Sequence, residues 1–196
     1  MAIRTARIIR RTRETQIHLT LNLDGKGKSS VRTTIPFLDH MFELLAKHGH
    51  FDLTLRAKGD THIDDHHLVE DLGIALGEAI AKAVGDKKGT HRYGNFLLPM
   101  DETLSYVALD LSNRPYFVWK VKWTKPEIGR FDGLLLEHFF ESVAASARMN
   151  LHMALKYGKQ PHHIAESLFK GFARALAQAV SRDPRVKGVP STKGRL

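Results

Sequence analysis

The sequence contains no cysteine. That absence excludes disulfides, thiolate metal sites and cysteine nucleophiles together, so any metal must be held by imidazole and carboxylate. It also has no run of about 18 apolar residues, the length a membrane-spanning helix needs, and no membrane partner is expected. Behind the basic stretch from Met1 to Arg13 there is neither an apolar segment nor a small-residue cleavage site, which excludes a secretory signal. Cytoplasm is the expected compartment, with a plastid the alternative for a chain trimmed of a transit peptide. An Arg-rich helix and an RNA-binding aromatic motif are missing too. The net charge of +9 invites a nucleic-acid reading, but the basic residues are spread along the chain. We therefore expect a basic surface with a few anion sites for a phosphorylated substrate, and no nucleic acid. What remains is 196 residues, 42% hydrophobic and 26% charged, ordinary for a soluble globular chain that buries a core.

The twelve histidines are unusual, and they cluster. Asp65-His66-His67-Leu68-Val69-Glu70 aligns without gaps on Pro161-His162-His163-Ile164-Ala165-Glu166, and the register continues through Leu72 with Leu168 and Val84 with Val180. Upstream, Leu38-Asp39-His40-Met41-Phe42-Glu43 resembles Leu136-Glu137-His138-Phe139-Phe140-Glu141. The spacing from His40 to His66 exceeds that from His138 to His162 by two residues. The chain is an internal duplication, with halves at 1–88 and 89–182 and a tail at 183–196.

Each half repeats one order of elements. Residues 15–24 alternate apolar and polar, the pattern of a strand with one wet face, and 29–35 returns as a second strand after the turn Asp24-Gly25-Lys26-Gly27. The second half offers 103–111 and 116–123 for the same pair, and strands at 6–12 and 95–100 precede the two pairs. Helices are predicted over 37–47 and 133–148, short strands over 51–57 and 150–156. Long helices follow, one opening at Asp64-Asp65 and running to Val84, the other opening at Pro161. Met41, Phe42, Phe139 and Phe140 fall on core positions, and Trp119 and Trp123 share a predicted strand face. The predicted class is α+β: two pseudo-symmetric halves of about four strands and two helices, with the helices packed together between two sheets.

On a helix, His66 and Glu70 lie about 40° apart around the axis and reach one point, whereas His67 is turned by about 100°. One HHxxE turn can thus supply two ligands to one metal and a single imidazole to another. With His162, His163, Glu166, His40 and His138, the count is six His and two Glu, enough for two metals with three imidazoles and one carboxylate each. Such donors suit Mn, Fe, Co, Ni or Zn.

His62-Ile-Asp-Asp-His-His-Leu-Val-Glu-Asp71, Pro161-His-His-Ile-Ala-Glu-Ser-Leu-Phe-Lys170, Pro36-Phe-Leu-Asp-His-Met41 and Pro99-Met-Asp-Glu102 together resemble the imidazoleglycerol-phosphate dehydratases. The resemblance covers essentially the whole chain. It implies a lyase that converts D-erythro-imidazole glycerol phosphate to imidazole acetol phosphate in L-histidine biosynthesis. It also implies two Mn2+ per subunit on His40, His66, His67, Glu70, His138, His162, His163 and Glu166, and self-association into about 24 subunits with active sites between chains. Its phosphate contacts fall on Arg92, Arg114, Lys170, Ser191 and Lys193, the last two in a tail that would close on the phosphate. Glu14 falls at a substrate carboxylate position, and His48 lies in the stretch lining the site. Leu44 departs from the resemblance, since the family often has Gln there.

The implied reaction breaks an unactivated carbon–oxygen bond and removes a carbon-bound proton, through a metal-stabilised imidazolate. Glu14 is the first candidate for the base, with Glu70 and Glu166 as rivals. Two other classes use the same ligands: a dinuclear metallohydrolase, and a non-catalytic metal-binding assembly protein.

Overall fold

In the computed structural model, which describes residues 4–196, the alternating segments lie edge to edge in two sheets. The first uses β1 (Thr5–Arg11), β2 (Thr15–Asn22), β3 (Ser29–Arg32) and β4 (Asp52–Gly59), in the order β1-β2-β4-β3. Only β3 and β4 run parallel, because α1 (Pro36–Gly49) crosses over between them. The second sheet repeats this plan with β5 (Tyr93–Met100), β6 (Thr103–Asp110), β7 (Tyr116–Lys120) and β10 (Asn150–Tyr157), ordered β5-β6-β10-β7 with β7 parallel to β10. Between β7 and β10 come a small hairpin, β8 (Glu127–Ile128) with β9 (Phe131–Asp132), and α3 (Leu135–Ala147). The long helices α2 (His66–Val84) and α4 (Pro161–Val180) follow β4 and β10.

Each helix lays one apolar face on its own sheet. Helix α2 packs on β1 and β2, α4 on β5 and β6, α1 on β3 and α3 on β7. The opposite faces meet across the halves, α2 against α3 and α1 against α4, so one apolar core joins both halves. Its centre is aromatic. Phe42, Phe139, Phe140, Phe169 and Phe172 are fully buried, with Phe140–Phe169 and Phe139–Phe169 centroids 4.9 and 5.4 Å apart. Burying each such ring contributes roughly 1.5–3 kcal/mol.

Two expectations change in detail. Strand β7 ends at Lys120, paired with Ala154, so Trp119 and Trp123 do not share a strand face: Trp119 stacks on Phe140, centroids 6.2 Å apart, while Trp123 lies beyond the strand, over Gly133. Asp64 and Asp65 sit just before α2 rather than in its first turn; Asp64 Oδ1 accepts a hydrogen bond from the His66 backbone N–H at 2.8 Å. None of the helices is long and apolar enough to cross a membrane among the described residues.

Candidate active site

The cross-half helix contacts decide which of the candidate ligands meet. Helix α1 buries Met41 and Phe42, which leaves the preceding His40 on its rim, where α1 lies against the start of α4. There Glu166 Oε1 faces His40 Nε2 at 3.0 Å and His162 Nε2 at 2.9 Å. The three donor atoms lie within 4.8 Å of one another. Two imidazoles and a carboxylate at this spacing, without a thiolate, fit a borderline divalent cation. Lys170, one turn along α4, pairs with Glu166 Oε2. Burial works to raise the Glu166 pKa, but Lys170, His40 and His162 outweigh it and hold the group down to about 2.

The mirrored contact, α3 on α2, brings His138 to His66 with ring centroids 5.1 Å apart, and His66 Nε2 lies 3.7 Å from Glu70 Oε2. This second cluster is more open, with the Glu70 side chain 49% exposed against 10% for Glu166. The first imidazole and the carboxylate of each HHxxE turn therefore join the single histidine from the other half.

His67 and His163 point elsewhere, as the helical phase predicts. His67 Nδ1 meets Asp60 Oδ2 at 3.0 Å, with Glu14 Oε2 at 4.0 Å, and the Asp60 carboxylate pushes the imidazole pKa up. His163 Nδ1 meets Glu102 Oε2 at 2.7 Å. Glu102 is held well below the usual carboxylate range, first by His163 and then by the backbone N–H of Gln160. Neither Asp60 nor Glu102 was assigned a role on sequence. Glu102 ends the Pro99–Glu102 motif, which could have flagged it; Asp60 carries no comparable signal.

The expected anion-binding residues separate into two places. Arg92, Arg114, Ser191 and Lys193 line one cleft of about 670 Å³, joined by Tyr93, Thr192 and Arg195. Arg92 forks onto Asp110 at 2.7 and 3.0 Å and donates its third bond to the Pro190 carbonyl at 2.9 Å, which ties the tail to the sheet. Gly89 and Asp183 fasten the tail further, through Gly89 N–H to Gly188 O and Asp183 N–H to Gly89 O. Lys170 does not line this cleft; it stands at the His40 cluster. His48, in the last turn of α1, faces the same region, where burial first and then the charges of Lys170 and Arg174 push its pKa down. Leu44 packs partly buried against the core. One chain thus carries a His/Glu cluster able to hold a cation beside Lys170 and His48, a second and more open His/Glu cluster, an exposed Glu14 beside His67, and a basic cleft at the tail.

A family model described as imidazoleglycerol-phosphate dehydratase matches residues 33–176. A protein of that name from Geobacillus kaustophilus (strain HTA426) is 55% identical over 193 residues, covering 98% of this chain and 99% of its own length. Its namesake from Methylorubrum populi is 53% identical over 195 residues, covering 99% of this chain and 100% of its own. Among solved structures, the imidazoleglycerol-phosphate dehydratase of Staphylococcus aureus subsp. aureus N315 superposes with a TM-score of 0.83 at 36% identity, covering 91% of this chain and 99% of that one. The Pyrococcus furiosus structure, described as IGPD in complex with (S)-C348, gives 0.84 at 35% identity, covering 96% and 100%.

Proposed function

Because the chain belongs to the imidazoleglycerol-phosphate dehydratase family, whose members are hydro-lyases, we propose that it dehydrates D-erythro-imidazole glycerol phosphate to imidazole acetol phosphate in L-histidine biosynthesis. The observation that supports this reading best is the doubled cluster. His40, His162 and Glu166 would hold one divalent cation, and His138, His66 and Glu70 a second, with Mn2+ as our assignment. His67 and His163, directed away from both clusters, would complete the sites of neighbouring copies. Ions held there would supply Lewis-acid chemistry, easing loss of a proton from an imidazole substrate.

The remaining work falls to side chains. The hydroxyl on the carbon next to the ring must leave as water, and the neighbouring carbon must give up its proton. We assign removal of that proton to Glu14, exposed beside His67, and the resulting enol ketonises to the product. Arg114, Ser191 and Lys193 would neutralise and orient the phosphate, helped by the Arg92 N–H groups left over from Asp110 and Pro190. Lys170 adds a further cation from beside the first cluster. Because these groups occupy separate places on one chain, we assign each working site to more than one subunit of a large assembly.

The test is to strip the purified protein with a chelator, restore Mn2+, and supply imidazole glycerol phosphate. One imidazole acetol phosphate should form per substrate consumed, with no inorganic phosphate released and no turnover before metal is returned. Phosphate release would instead identify a hydrolase, and metal-independent turnover would remove the cations from the chemistry.

A further inference from the structure

We propose that Asp60 and Glu102 are positioning carboxylates for His67 and His163, each fixing its ring so that Nε2 is the atom offered to a divalent cation. This rests on the metal reading above. A carboxylate can only accept a hydrogen bond, so the Nδ1 that meets Asp60 Oδ2 at 3.0 Å, or Glu102 Oε2 at 2.7 Å, must carry the proton. A neutral imidazole has one proton, and its lone pair is then on Nε2. Partners of this kind orient a ligand ring and raise its basicity, and removing one weakens metal binding by about 10–100-fold.

The two carboxylates are not equivalents under the duplication. Strands β2 and β6 open at the buried threonines Thr15 and Thr103, and each follows a glutamate, Glu14 in one turn and Glu102 in the other. Asp60 follows Gly59 after β4, where Lys159 follows Gly158 after β10. The β4–α2 connection covers residues 60–65, while β10–α4 covers only 158–160. The short connection brings the start of α4 onto the β5–β6 turn. There Glu102 Oε1 accepts hydrogen bonds from Lys159 N–H at 3.2 Å, Gln160 N–H at 2.9 Å and the Thr103 hydroxyl at 3.0 Å, and its Oε2 takes His163. In the longer connection Asp60 takes that role toward His67, and Glu14 stands off at 4.0 Å. Asp60 therefore leaves Glu14 uncommitted, whereas Glu102 is committed to structure. The other Asp60 oxygen, Oδ1, is buried without a partner, so His67 is the only partner of this side chain among the described residues.

Mn2+ titrated into the chelator-stripped protein, with the free ion read by electron paramagnetic resonance, tests the assignment, and far-ultraviolet circular dichroism checks the fold. The parent chain should bind about two ions per subunit. Asp60→Asn and Glu102→Gln should each weaken part of that binding by about 10–100-fold, and Glu14→Gln should leave it at the parent value. Glu102→Gln also loosens the start of α4, so Asp60→Asn is decisive. Parent-like affinity in a folded Asp60→Asn protein overturns the proposal, and so does its failure to fold, which would make Asp60 a structural residue. If the parent chain binds no Mn2+, the metal reading fails first and takes this inference with it.

Discussion

Glu14 is exposed at the end of the β1–β2 turn, and among the described residues its carboxylate accepts no hydrogen bond; His67 Nδ1 stands 4.0 Å from its Oε2. A carboxylate in that setting keeps its lone pairs available, as a general base requires. Glu14→Gln preserves size and removes the basic oxygen. We expect it to keep fold and metal content while turnover falls by about 10²–10⁴, the usual loss when a general base is removed, with little change in KM. Steady-state kinetics on the manganese-loaded variant decides this, and near-parental kcat would move the base role to Glu70 or Glu166. At this scale the sequence singled out the candidate ligands and was silent about the carboxylates beside them. His66, His67 and Glu70 announce themselves by spacing, whereas the partners of His67 and His163 come from distant turns that no local pattern connects to α2 or α4.

Helices α2 and α3 approach closely because α2 carries glycine where α3 crosses it. A Cβ at Gly73 would lie 2.5 Å from the Phe139 carbonyl oxygen, and one at Gly77 would lie 2.7 Å from that of Val143. Both contacts are with backbone, which cannot swing aside as a side chain can. Gly77→Ala should therefore destabilise the protein by about 1–3 kcal/mol, the range for overpacking, despite the better helix propensity of alanine. It should also spread α3 from α2 and so part His138 from His66. Thermal unfolding of the metal-free protein is the measurement, and an unchanged or raised Tm would mean that α3 lies further from α2 in solution. The long helices themselves were readable, because their apolar period and the Pro161 start are local signals. Their cross-half partners were not, since any two apolar helix faces are compatible until the sheets beneath them set the spacing.

For the whole molecule, the proposed reading has two clusters of three candidate ligands and two outward imidazoles, which would leave each chain with sites for a neighbour to complete. A cation held by more than one chain adds its binding free energy only to the assembled state. Chelation should therefore convert a large particle into small oligomers, and restoring Mn2+ should return size and activity together. Sedimentation velocity with and without chelator reads the first, and a fully active monomer with both ions bound would overturn the shared-site arrangement.

The repeated order of elements, the α+β class and the types of the candidate ligands were legible in the sequence, because each depends on periodicity or spacing within a few turns of chain. Helical phase alone also required His67 and His163 to diverge from the histidine and glutamate beside them. The tertiary structure decided the rest. It paired His40 with the second HHxxE turn and His138 with the first, gave Asp60 and Glu102 different standing, and collected Arg92, Arg114, Ser191 and Lys193 at the tail while leaving Lys170 beside the first cluster. Each of these outcomes depends on contacts between residues far apart in the chain. They are selected by how two sheets and four helices close over one aromatic core, and no local run of residues encodes that closure.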